Sequence, residues 1–226
     1  MRAKTFLLAA IAVCCLIVSQ AEKACAKYEE PKYAVSLQEG NFEVRQYPPL
    51  IFAIVDIPAV GRDGASEAYR ILAGYIFGQN KSCQSQPANN SFWPHDGSEK
   101  IAMTVPVTIE DSVHKLARTV PVEELAAEDK HLKMRLFIPE KYSVETLPAP
   151  SDKRVQFESV PARRYAVIRY SGLAQGSNLD EHIEKLRRLV KEHNLEPDGE
   201  PLVAYYNPPW TLPFMRRNEI WIPLGK

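Results

Sequence analysis

The feature that most limits what this chain can fold into is an order of elements that occurs twice. Residues 42–47 (Phe-Glu-Val-Arg-Gln-Tyr) alternate apolar and polar positions in the two-residue period of a half-exposed strand. Pro48-Pro49 then turns the chain into an aliphatic strand over 50–57. A helix is predicted at about 65–77, where Ala68, Ile71, Leu72, Tyr75 and Ile76 fall on one face, and Gly78 stops it. Strands at about 100–109 and 132–138 complete this half. The second half repeats the order. A strand at 155–160 turns at Pro161-Ala162 into a strand at 163–170. A helix at 179–193 carries Leu179, Ile183, Leu186 and Val190 on one face, with Asn178 as N-cap, Glu181 at the capping-box position, and Asn194 and Pro197 ending it. Strands at 202–206 and 219–223 close the chain.

Each half, about 40–138 and 155–224, is therefore β-β-α-β-β, with the Pro-containing stretch 139–154 as connector. Neither half has enough apolar surface to stand alone. Two such units should pack as one α+β domain, a single antiparallel sheet or distorted β-barrel flanked by two helices. The seam between halves is the natural place for a groove. Two polar or charged stretches, 79–99 and 110–131, interrupt the pattern.

The amino terminus reads as a targeting segment rather than fold. Arg2 and Lys4 precede an apolar run, Phe6 to Val18, of about 13 residues, short of the roughly 20 that a membrane span needs. Ser19-Gln20-Ala21 and Ala24-Cys25-Ala26 both fit a signal-peptidase site, so cleavage after Ala21 or Ala26 would leave a single domain over 27–226 outside the cytoplasm, periplasmic or secreted. Cys14 and Cys15 leave with that segment, and Cys25 and Cys83 make no disulfide framework. Asn80-Lys-Ser82 and Asn89-Asn-Ser91 match a glycosylation pattern that polar loops also produce by chance. With 28 basic and 28 acidic side chains among 226 residues, there is no electrostatic footprint for nucleic acid or anionic membrane.

Catalytic and metal motifs are missing. There is no G-x-S-x-G, no phosphate loop, no dinucleotide fingerprint, no HExxH, no CxxC and no CxxCH. His182 and His193 lie about three helical turns apart, too far for one metal. None of the five histidines falls in a strand expected to line the groove, which leaves Met103, Met215, Tyr47, Tyr69 and Tyr75 as residues of iron-ligating type near the seam. Each is equally a core side chain. Arg45 has two readings, an anchor for a ligand carboxylate or a partner for a protein carboxylate. Arg216-Arg217 beside Glu219 has the same two.

Four blocks in order carry a resemblance: Phe42-Glu-Val-Arg-Gln-Tyr47, Gly74-Tyr-Ile-Phe-Gly-Gln-Asn80, Lys100-Ile-Ala-Met-Thr-Val-Pro-Val107 and Tyr206-Asn-Pro-Pro-Trp-Thr-Leu-Pro-Phe-Met-Arg-Arg-Asn-Glu219. Together they resemble the SOUL/heme-binding protein family over about Tyr28 to Leu224. The resemblance implies a distorted barrel of two similar halves with two flanking helices. It also implies non-covalent binding of heme or another tetrapyrrole in a shallow apolar groove beside the first helix. Where some members carry a histidine after the E-x-R triplet, this chain has Gln46, so the porphyrin would be held without histidine axial ligation. The binding residues implied are Arg45, Gln46, Tyr69, Leu72, Ile76, Lys100 and Met103. The resulting expectation is a tetrapyrrole carrier or buffer. The alternatives are an enzyme acting on a tetrapyrrole or small hydrophobic compound, and a non-catalytic interaction protein on the same fold.

Overall fold

The computed structural model describes residues 28–58, 64–82, 97–111, 131–208 and 210–225. Its strands are β1 (Ala34–Glu39), β2 (Phe42–Tyr47), β3 (Leu50–Pro58), β4 (Asn80–Lys81), β5 (Val107–Asp111), β6 (His131–Phe137), β7 (Ala149–Pro150), β8 (Val155–Val160), β9 (Arg163–Tyr170), β10 (Leu202–Tyr205) and β11 (Asn218–Leu224). Helix α1 spans Gly64–Ile76 and α2 spans Gly176–Glu192. The predicted targeting segment, Cys25, Cys83, Asn89, His95 and His114 lie outside the described residues.

Nine strands form one antiparallel sheet in the order β1-β2-β9-β11-β10-β5-β6-β3-β8. Apart from the added β1, this order is a palindrome of the two repeats. The first strand of each half (β2, β8) sits beside the second strand of the other half (β9, β3), and the third strands, β5 and β10, meet at the centre. The halves have exchanged their leading strands, which is why neither is a separate unit.

The links between β2 and β3 and between β8 and β9 are two residues each, yet each joins strands six places apart in the sheet order. Laid flat, six steps would cover about 29 Å. Three residue steps reach at most about 11 Å. The sheet must therefore curl until its ends approach each other. It does not close: among the described residues no ladder joins β1 or β2 to β8, so the expected barrel is instead a strongly curled open sheet.

Curling separates two faces. On the convex face α1 packs over β3, β6 and β8, and α2 over β9 and β11. The buried stripe of α1 is Ala68, Ile71, Leu72, Tyr75 and Ile76, and that of α2 is Leu179, Ile183, Leu186 and Val190, as the sequence period predicts. Burying one such aliphatic side chain is worth about 1.5–3 kcal/mol over leaving it exposed. Both helices end in the same six-residue motif. After α1, the Gln79 and Gly78 amides donate to the Gly74 and Tyr75 carbonyls, at 2.9 and 3.3 Å, with Gly78 at φ +112°. After α2, the Leu195 and Asn194 amides donate to Val190 and Lys191, at 2.9 and 3.1 Å, with Asn194 at φ +51°. The start of α2 departs from expectation. The N-cap is Gln175 without a side-chain cap, and the Asn178 amide donates back to the Leu173 carbonyl at 2.6 Å, so Asn178 closes the preceding loop instead.

The strand predicted at 100–109 is shorter than expected. Pairing in β5 starts at Val107, directly after Pro106, which has no amide to give a ladder. Before it, Thr104 bridges to Glu29 and donates its hydroxyl to the Phe137 carbonyl. The concave face holds a third core of Tyr47, Phe52, Phe137, Tyr165, Leu202 and Trp221, among others.

Candidate ligand-binding surface

Helix α1 turns two different sides outward and inward. Leu72 and Ile76 are buried in the core beneath it. Tyr69, Ala73 and Phe77, the last just past the helix, recur every four residues and form a stripe that flanks the buried one. Tyr69 is 43 % exposed and Phe77 59 % exposed. Partial burial, then the charge of the Tyr28 phenol, raises the Tyr69 pKa. Met103 lies half-buried against the same core. The Ile101 amide donates to the Ile76 carbonyl at 2.9 Å, which holds the exposed Lys100 beside the carboxyl end of α1. The result is an apolar, aromatic strip with a cation at one end.

Of the seven residues singled out in the sequence, the structure brings five to this helix: Tyr69, Lys100 and Met103 at the surface, Leu72 and Ile76 as its support. Arg45 and Gln46 are elsewhere, on β2. Gln46 is exposed, its amide donating to the Tyr47 carbonyl at 3.3 Å. Arg45 is only 2 % exposed and points into the concave face. Its guanidinium donates to Glu219 at 2.8 and 3.2 Å, to Glu43 at 2.6 Å and to the Tyr47 hydroxyl at 3.3 Å. Of its two sequence readings, the protein carboxylate is the one realised.

Glu219 is wholly buried and is the hub of that cluster. Besides Arg45 it accepts from Arg217 at 2.9 Å, the Tyr206 hydroxyl at 2.8 Å and the Trp221 indole at 2.8 Å. Burial alone would raise its pKa. The Arg45 hydrogen bond and charge, followed by Arg217, overcome burial and hold it below the ordinary carboxylate range. Burial, reinforced by the Glu219 charge, pushes the Tyr206 phenol well above its usual value. Arg217 also lies over the Tyr206 ring at 3.7 Å. A carboxylate with every oxygen engaged and its pKa depressed is placed to hold strands together, not to exchange protons with a ligand.

The other residues of iron-ligating type separate clearly. Tyr47 and Tyr75 are buried, and Tyr75 donates to the Pro148 carbonyl at 3.0 Å. Met215 stands exposed in the 207–216 loop with Trp210, Leu212 and Phe214. The described histidines each have partners: His131 lies against Asp56, His182 on the Asn178 carbonyl and stacked on Tyr170, and His193 against Glu39 and stacked on Phe42. No cluster of three metal-ligating side chains occurs among the described residues. Asn80 is buried with its amide donating to the Tyr75 and Glu99 carbonyls, both at 2.7 Å, which leaves no accessible amide for a glycan.

Sequence reasoning missed Phe77 on this surface. Phe77 was legible as the next step of the four-residue stripe from Tyr69.

The profile of the SOUL heme-binding protein family matches residues 28–223, and the chain belongs to that family. No curated protein matches the sequence significantly. Among solved structures, the fold is similar to that of the EcmrR C-terminal domain, with 11 % identity, TM-score 0.52, and 86 % of this chain and 98 % of that one covered. It is also similar to an uncharacterized conserved protein from Listeria innocua, at 12 % identity and TM-score 0.50, covering 92 % and 98 % respectively. At these identities the likeness is one of fold.

Proposed function

We propose that the protein binds heme or another tetrapyrrole non-covalently on the outer side of α1, as a carrier or buffer. The observation that carries this reading is the exposed pair Tyr69, on that helix, and Phe77, just past its end, in a chain of the heme-binding family. Exposed aromatic rings on a rigid helix give stacking area at little cost in ordering. Met103 extends the apolar surface, and Lys100 meets a propionate. None of these side chains is a histidine, and on this reading Tyr69 and Met103 act as packing surface, so binding rests on the macrocycle rather than on the metal. The amino-terminal targeting pattern adds that this happens outside the cytoplasm, in the periplasm or after secretion.

Substitution tests the surface. Tyr69→Ala and Phe77→Ala together should weaken protoporphyrin binding at least about tenfold, the equivalent of ~1.4 kcal/mol, while leaving the urea midpoint nearly unchanged. Unaltered affinity in the double variant would remove the ligand from α1.

A further inference from the structure

The concave side of the curled sheet contains a cavity of about 260 Å³, far from the α1 surface in character and too small for a porphyrin. Its walls include Phe52, Tyr165, Leu202 and Trp221. Two polar groups in it lack any partner: the Thr108 hydroxyl and Nη1 of Arg135. Thr108 is 2 % exposed. The two residues are directly opposite each other in the β5–β6 register, so their side chains rise side by side from the same face. Buried polar atoms without a partner are uncommon, and each one calls for an explanation. Two neighbouring ones facing one cavity point to a ligand that completes them.

Charge narrows the class of that ligand. Arg135 already pairs with Glu110 at 2.9 Å and Glu158 at 3.3 Å, and Lys133 with Glu158 at 3.0 Å. At the rim Arg163 pairs with Asp198 at 2.6 Å, while Glu200 pairs with Arg187 of α2, outside the lining, at 3.5 Å. The lining itself holds two cations, Arg135 and Arg163, against four carboxylates, Glu110, Glu158, Asp198 and Glu200, so no unpaired cation is left for an anionic ligand. What remains is a donor on Arg135 beside a hydroxyl on Thr108, framed by aromatic rings.

We infer that this cavity is a second binding site, for a small neutral aromatic molecule carrying a carbonyl or amide oxygen. That oxygen accepts from Arg135 Nη1 and from the Thr108 hydroxyl, and its ring packs against Phe52, Tyr165 and Trp221. The volume corresponds to about nine waters at roughly 30 Å³ each, the size of one or two fused rings.

The test uses the whole protein with benzamide and indole-3-carboxaldehyde as neutral probes and benzoate as the charged one, followed by backbone and indole amide shifts. Saturable shifts should centre on Thr108, Ala204 and the Trp221 indole, with benzoate weaker, and saturating protoporphyrin should not compete. Arg135→Met also strips Glu110 and Glu158 of a partner, so Thr108→Val is the decisive variant. Removing an unpartnered hydroxyl should leave the melting temperature unchanged or raised, while weakening the probes up to about tenfold, as loss of one hydrogen bond does. Absence of saturable shifts, equal binding by benzoate, or undiminished affinity in Thr108→Val would each overturn the assignment. Competition by protoporphyrin would do so as well.

Discussion

Replacing Glu219 by Gln keeps the shape of the side chain and removes one buried charge. The structure sets the consequence. Arg45, almost wholly buried, is left with Glu43 alone as a counter-charge, and Arg217 keeps only the exposed Glu30, at 3.0 Å. Breaking a buried pair on one side typically costs about 3–5 kcal/mol, because the partner charge stays buried without compensation. In a domain of this size each kcal/mol moves the melting temperature by about 2–4 °C, so Glu219→Gln should melt about 6–20 °C lower. Urea unfolding followed by far-ultraviolet circular dichroism gives the free energy directly. Arg45→Met should cost a comparable amount. The Arg45→Met/Glu219→Gln double variant should cost clearly less than the sum, since the two contacts are one. Acid adds a sign. The folded Glu219 pKa stands below the ordinary 4.5, so its contribution is present above that value and is lost as the pH falls through the folded pKa. The wild-type and Glu219→Gln stabilities should therefore converge in acid. Single-variant costs under about 1 kcal/mol, typical of exposed pairs, would refute the reading of Glu219 as a buried hub.

Other outcomes follow from the two faces of the helices. Leu186→Ala, under α2, should destabilise by about 2–5 kcal/mol in urea titrations, with porphyrin affinity per folded molecule unchanged. Lys100→Glu should leave the urea midpoint in place. It should weaken binding of a dicarboxylate porphyrin more than of its dimethyl ester, and the difference should shrink as salt is added.

Much of the architecture is written in local periodicity. The four-residue and two-residue patterns located α1, α2 and most strands, and Gly78 and Asn194 marked both helix ends because a positive φ is needed there. Strand exchange was not legible. Pro48-Pro49 and Pro161-Ala162 read as turns in either topology, and only the sheet order reveals that they cross between sheet ends rather than close hairpins. The barrel expected from the family resemblance gives way to an open curl for the same reason. Local pattern also misplaced the capping role of Asn178, whose amide finds the Leu173 carbonyl instead. At the candidate site, Tyr69, Leu72 and Ile76 follow from helical spacing. The pairing of Arg45 with Glu219 could not be read locally, because the two are 174 positions apart and meet only when β2 and β11 flank β9. The pairing of Thr108 with Arg135 across β5 and β6 depends on register in the same way.

The central claim is that the macrocycle, not the metal, is what α1 recognises. Its most direct test is a titration of the protein with haemin and with metal-free protoporphyrin IX, read by Soret absorbance and by quenching of tyrosine and tryptophan fluorescence. Saturable one-to-one binding of both at similar affinity is the predicted result. A strong preference for haemin with a low-spin spectrum would contradict it by revealing an axial ligand, and failure of both to bind at micromolar concentration would contradict tetrapyrrole binding itself.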